Sequence, residues 1–219
     1  MKRSFLLFSL LIAMVSALSA CADEDLFVPM EYTASIDEVQ AVSIDVRDRM
    51  IDVSLSDDDQ IHVDYFVSSK EGYDIGIADG CLAMIRTSHK DWTDFIGMKP
   101  AEENRRISLR MPEMLLRSIS LKTTNADIRI HEAFSAGEIS LSSNGGNILF
   151  ESLDAGKSIT LDAKNGDIKG SIIGGWDDFS IHCESKKGEC NLPSEKNNGE
   201  KMLSVNANNS DVAIEFVSR

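Results

Sequence analysis

The chain has 219 residues, of which 42% are hydrophobic and 26% charged, and its 22 Lys plus Arg stand against 36 Asp plus Glu for a formal charge of -14. This composition fits one large β domain or two small ones and excludes disorder along the whole chain. The first twenty residues hold Lys2 and Arg3 and no acid, so their removal leaves -16, and so acidic a surface excludes nucleic-acid binding driven by counterion release.

Met1-Lys2-Arg3 is a short basic start, Phe5 to Val15 form a nearly continuous apolar run, and small residues follow from Ser16 to Ala20. This order is that of an export signal at residues 1–20. The run is shorter than the roughly 20 residues that span a bilayer. Leu18-Ser19-Ala20-Cys21 resembles the lipobox of bacterial lipoproteins, which implies cleavage before Cys21 and acylation of its thiol with fatty acids such as palmitate. The rival reading is an ordinary secretory signal with a cysteine near the cut. Residues 21–34 read as a lipidated tether, since 22–33 lack periodicity and carry acidic groups and Pro29.

From Ser35 the pattern alternates. Residues 41–46 and 51–55 place an apolar residue at every second position, as a strand with one face on a core requires. The acidic stretch Ser56 to Gln60 leads into Ile61-His62-Val63-Asp64-Tyr65, which predicts a hairpin between 51–55 and 61–65. Residues 71–105 are less regular, with one or two strands, one over Leu82 to Thr87, and a long loop. Alternation resumes at Ile107 and stops at Pro112, which cannot donate to a ladder. Residues 35–118 thus form an N-terminal β region, containing a hairpin, that caps a set of repeats in the rest of the chain.

Those repeats occupy residues 119–219. Ile119, Ile139, Ile159 and Phe179 recur every 20 residues, and Leu203 opens a fifth copy after 24. Two positions on stand Leu121, Leu141, Leu161, Ile181 and Val205. Nine positions on stand Ile128, Ile148, Ile168 and Val212, where the fourth copy has Gly188 and offers Cys190 instead. Fourteen positions on stand Ala133, Leu153 and Ile173. Polar corners separate the first two groups: Asn125-Ala126-Asp127, Asn144-Gly145-Gly146-Asn147, Asn165-Gly166-Asp167 and Asn209-Ser210-Asp211. Such residues tolerate left-handed angles and bond to their own backbone. The expected fold class is all-β, a β-solenoid of about 20-residue coils. An antiparallel meander is the alternative, because Asn-Gly also marks hairpins; the likeness at three fixed offsets favours stacking.

The segments "SIDVRDRMIDVSLSDDDQIHVDY", "ISLRMPEMLLRSISLKTTNADIRI" and "KNGDIKG" resemble the DUF4097 family of adhesin-like β-strand-repeat proteins, over roughly residues 36 to 216. The resemblance implies an exported β-solenoid with binding, structural or envelope-stress roles and carries over no catalytic residue. The fourth copy departs from it at Glu184 to Cys190.

Chemical signals are sparse. GxSxG, HExxH and phosphate-binding glycine loops are absent from the sequence, and neither Cys21, Cys81, Cys183 and Cys190 nor His62, His89, His131 and His182 have metal-ligand spacing. The expectation is no metal and no cofactor. Asp57-Asp58-Asp59 and the Asn-Gly-Asp corners pose a calcium question, answered in favour of solvated turns because neither follows an EF-hand or nonapeptide spacing. Asp127, Asp167 and Glu184 could supply a carboxylate pair for a glycan-cleaving site, but nothing marks out a pair. Trp92 and Trp176 read as edge anchors of the core before sugar platforms. Cys183 and Cys190 stand either as a disulfide or as two buried thiols.

The sequence therefore predicts a non-enzymatic lipoprotein, anchored to a bacterial membrane outside the cytoplasm. Its adhesin-like face, on which Ser120, Lys122, Ser140, Ser142, Thr160 and Asp162 alternate with inward residues, would bind an envelope protein or cell-wall glycan or serve as a spacer. An envelope-stress sensor or regulatory ligand-binding module is the alternative, and a glycan-active enzyme stands behind both.

Overall fold

The computed structural model describes residues 26–88 and 101–218. The segment expected to be an export signal, Cys21, His89 and Trp92 lie outside the described residues. Fifteen strands are present among the described ones: β1 (Val28–Ser35), β2 (Ala41–Asp45), β3 (Met50–Leu55), β4 (Gln60–Val67), β5 (Glu71–Ala78), β6 (Cys81–Ser88), β7 (Arg106–Met111), β8 (Leu116–Thr123), β9 (Ile128–Ser143), β10 (Ile148–Ala163), β11 (Ile168–Ile173), β12 (Phe179–Lys187), β13 (Glu195–Lys196), β14 (Lys201–Asn209) and β15 (Val212–Val217).

The repeats stack in parallel, in register, as a solenoid. β9 and β10 are long because each crosses from one wall to the other, so the C-terminal half of β9 lies between β8 and that of β10 while its N-terminal half lies between β3 and that of β10. The first wall runs β5-β6-β2-β8-β9-β10-β14-β12-β13 and the second β1-β4-β7-β3-β9-β10-β11-β15. Alternation turns every second side chain of each wall into the space between them. Val42, Ile119, Ile139, Ile159, Leu203 and Ile181 form one buried column, and Ile51, Ile128, Ile148, Ile168 and Val212 face them from the opposite wall.

Three expectations need correction. The strands at 51–55 and 61–65 do not pair with each other, because β7 lies between β3 and β4. The hairpin of the N-terminal region is β5–β6, turned by Asp79 and Gly80, both with positive φ. Residues 28–34, expected in a tether, belong instead to β1, which pairs with β4 over eight residues. The fourth repeat, finally, does not stack on the third. β14 pairs directly with β10, β12 lies beyond β14, and the residue level with Leu203 is Ile181 instead of Phe179.

That last order gives the molecule its plan. Consecutive coils are β2–β3, β8 with the start of β9, the end of β9 with the start of β10, the end of β10 with β11, and β14–β15. The chain leaves this stack twice. It departs after β3 to build β4 to β7, which cover the first coil, and after β11 to build β12 and β13, which cover the last. Counted from Ile181, the residue level with Leu203, Cys190 stands nine positions on and finds the ninth-offset column, for it forms a parallel bridge with Val212.

Candidate binding face and its corner ladder

The outer surface of the first wall is built by strand register. Ser43, Ser120, Ser140, Thr160, Ser204 and His182 stand side by side on six neighbouring strands. Two residues along, Asp45, Lys122, Ser142, Asp162, Asn206 and Glu184 form a second row. Strand spacing sets neighbours in a row at about 4.8 Å. Each hydroxyl both donates and accepts, so the rows present short, regularly spaced polar groups on a flat ground. The six residues expected on this face are brought together there, each half-buried or exposed. Lys122 donates to Asp45 at 2.9 Å at the β2–β8 end of the second row, and Asp162 and Glu184 leave that row acidic.

The edge of this face is fixed by the polar corners. The Asn147 N–H donates to the Asp127 carboxylate at 2.8 Å, the Asp167 N–H to Asn147 Oδ1 at 2.9 Å, the Asp211 N–H to Asp167 at 3.1 Å and the Glu189 N–H to Asp211 at 2.9 Å. Each corner side chain thus caps a backbone N–H of the next coil that no strand ladder reaches. The corners pack so closely that a Cβ on Gly146 would overlap the Ala126 carbonyl, which requires glycine there. In the sequence this ladder was visible as turn chemistry alone, because capping between coils depends on a register that only stacking defines.

The proposed carboxylate site does not assemble. Asp127 and Asp167 are held in the corner ladder with Asn147 between them and are paired to Arg129 and Lys169, both at 2.7 Å, whereas Glu184 lies on the outer face beside His182. The Lys169 ammonium and the Asp211 N–H hold the Asp167 carboxyl below the usual carboxylate range, opposite to what a general acid needs. Asp58 closes the β3–β4 turn, accepting from the Ser56 hydroxyl, His62 and the Gln60 N–H. Among the described residues no three His, Cys, Asp or Glu side chains converge on a point suited to a metal. Trp176 is 42% exposed, with its ring edge-on to Phe216 at 5.2 Å and Lys196 above it, an anchor at the end of the core. Cys183 and Cys190 approach to 3.2 Å between sulfurs.

Among the described residues, two depressions stand out. One is a wide, shallow bed on the outside of the second wall, bordered by Arg129, His131, Glu151 and Lys169. The other is a groove of about 240 Å³ beside Leu55, Met111, Glu132, Phe134 and Asp154, below the roughly 300–1,000 Å³ of ordinary small-molecule sites.

Sequence lacked the buried cluster around Glu71. Its carboxylate pairs with Arg49 and, at 3.4 Å, with Arg86, while Arg49 also donates to the Tyr73 hydroxyl at 3.0 Å and to the Asp48 carbonyl. This fastens the β5–β6 hairpin to the first corner of the solenoid.

Comparison with known proteins agrees with the architecture. No curated protein matches the sequence. Among solved structures, a "putative cell adhesion protein" from Clostridium sporogenes aligns with 88% of this chain and 100% of its own at a TM-score of 0.53 and 9% identity, a likeness of fold. A "putative adhesin" from Bacteroides fragilis aligns over 87% of this chain and 97% of its own, at a TM-score of 0.37 and 8% identity. A "putative lipid binding protein" from Parabacteroides distasonis gives 85% and 96%, with a TM-score of 0.36 and 11% identity. The family model described as Toastrack DUF4097 matches residues 39–171, more than half of the sequence, and the chain belongs to that family.

Proposed function

We propose that the protein is an exported, lipid-anchored, non-enzymatic module of the bacterial envelope that holds a protein or cell-wall glycan partner against the outer face of its first wall. The observation that carries this reading is the pair of in-register polar rows across β2, β8, β9, β10, β14 and β12. An array of hydroxyls with an amide and mostly acidic charges offers many modest hydrogen bonds and suits an extended polar partner better than a small molecule. The name of the Clostridium sporogenes protein, which shares the fold, supports an adhesive role. Anchoring through Cys21 rests on the basic start, the apolar run and Leu18-Ser19-Ala20-Cys21, and two or three acyl chains there would hold the domain firmly at about 0.8 kcal/mol per buried methylene.

The test is partner capture from native membranes and cell-wall fragments by lipidated protein carrying alanine at Ser120, Ser140, Thr160 and Lys122, singly and together. Graded single losses that combine into a large one are expected. A single Asp127, Asp167 or Glu184 variant that stays folded and anchored yet loses all activity would replace this reading with an enzymatic one. Cys21→Ala should abolish labelling by a palmitate analogue and leave uncleaved or mislocalised precursor; undiminished labelling sinks the anchor.

A further inference from the structure

We infer that Cys183 and Cys190 form a disulfide that clamps the β12–β13 excursion over the last coil of the solenoid. The inference rests on export to an oxidising compartment, where such bonds persist. Its geometry comes from two segments that meet only at the end of the stack. Cys183 closes the inner column Leu141, Leu161, Val205 on the outermost long strand of the first wall and is buried. Cys190 belongs to a segment laid along β15, the edge strand of the second wall. It bridges to Val212, and Asn191 acts as a substitute strand, its side chain donating to the Ile214 carbonyl at 2.7 Å and accepting from the Ile214 N–H at 3.1 Å. Leu192 then turns inward and is buried, while the Cys183 N–H donates to the Ser194 carbonyl at 2.9 Å.

The sulfurs stand 3.2 Å apart, about 1.2 Å longer than a bond. They need only a small approach. A bond there would join one wall to the segment guarding the edge of the other and keep the β15 edge covered, which matters because an open edge recruits further strands.

The chemistry divides unequally between the sulfurs. Burial and the neighbouring Cys190 sulfur push the Cys183 thiol up to about 12, whereas Cys190 is partly exposed. Oxidation begins when the Cys190 thiolate attacks an external disulfide, that of an oxidised dithiol protein or of glutathione, and expels one donor thiol. Cys183 then loses its proton, attacks the Cys190 sulfur of the mixed disulfide and expels the second. Two electrons and two protons pass to the donor, which leaves as two thiols. In reverse, a reductant attacking Cys190 would have to expel the Cys183 thiolate, a poor leaving group. The bond, once formed, resists reduction in the folded protein and yields on unfolding.

The reduced full-length protein is incubated with oxidised and reduced glutathione, alkylated and mapped by mass spectrometry. The same mapping is applied to protein alkylated inside intact cells. A Cys183–Cys190 cross-linked peptide with Cys81 alkylated is expected from both, together with faster proteolysis within 188–196 and a lower melting midpoint in Cys190→Ser. Alkylation of Cys183 and Cys190 throughout after unfolding, in the glutathione-treated sample, overturns the cross-link. A bond in buffer with thiols in cells supports the cross-link and overturns export instead. Reduction equally fast in the folded protein and in urea overturns the clamp as a protected bond.

Discussion

His62 stands between two carboxylates, with Glu31 of β1 at 2.8 Å from Nδ1 and Asp58 at 3.0 Å from Nε2, and Arg110 of β7 reaches Glu31 at 3.7 Å from the far side. Glu31 first, and Asp58 second, raise the His62 pKa above its ordinary 6.5, against opposition from desolvation and Arg110, and hydrogen bonds from Ser56, His62 and Gln60 hold Asp58 down to about 2. The folded state prefers protonated His62, so its contribution is complete below the unfolded pKa near 6.5 and disappears as pH rises through the higher folded value. The Asp58 contribution has the opposite sense: it is present above 3.8 and fades as pH falls toward about 2. A proton titration by NMR should place His62 above 6.5, and Glu31→Gln should lower it; an unchanged His62 pKa in that variant would remove the coupling of β1 to β4. Glu71 is a different case, because it is 2% exposed between two guanidiniums, and burial, with Arg49 next, lowers the Arg86 pKa. Glu71→Gln leaves the buried Arg49 and the half-buried Arg86 cations facing each other and should cost about 3–5 kcal/mol in urea unfolding. Glu138→Gln, which loses an exposed partner at 3.6 Å in Lys157, should cost under about 1 kcal/mol.

At the scale of the strand, inward and outward positions differ by one residue. Leu141 is fully buried in the middle of its column, while Ser142 beside it points out. Leu141→Asp should destabilise by several kcal/mol, because it buries an unpaired carboxylate. Ser142→Asp should stay within about 0.5 kcal/mol, and equal costs in thermal melts would contradict the alternation. The columns at the first two offsets were legible in the sequence because alternation and a 20-residue period fix them together. The third was only approximately so. Its inward residues are Phe134, Leu153 and Ile172, aligned across β9, β10 and β11 at offsets of 15, 14 and 13, and register shifts between Phe150 and Ser152 absorb the difference. A fixed offset therefore selected Ala133 and Ile173, neighbours of the true core positions. The pairing of β3 with β7 was illegible for another reason. An acidic turn between two alternating segments reads as a hairpin, and nothing local reveals that a strand fifty residues later enters between them. The face at Ser120, Ser140 and Thr160 was legible, whereas Ser43, which continues it from the far side of the β4 to β7 excursion, was not.

Across the whole molecule, both excursions serve the same physical need. A stack of parallel coils ends in open strand edges and an uncovered apolar core, so its terminal units must differ from its interior ones. Here β4 to β7 cover the first coil, and β12, β13 and the segment bearing Leu192 cover the last. The sequence spacing records this, since Ile159 and Leu203 are level on adjacent strands yet 44 residues apart, one period of 20 plus an insertion of 24. Deleting residues 175–198 restores a single 20-residue period between them, and five residues then link Ile172 to Met202, against four between the equivalent Leu153 and Ser158. If β12–β13 is an insertion into the stack, the shortened protein should keep a β-type circular dichroism spectrum and a cooperative melt, because β14 still pairs with β10 and β15 with β11. It should also melt lower and self-associate, since the β14 and β15 edges lose their cover. Size-exclusion chromatography and thermal melts decide the point. A monomer that melts as the parent does would mean that the excursion protects nothing, and a shortened chain with no β structure would mean that β12 is an integral coil and the stacking order given by the strand register is wrong.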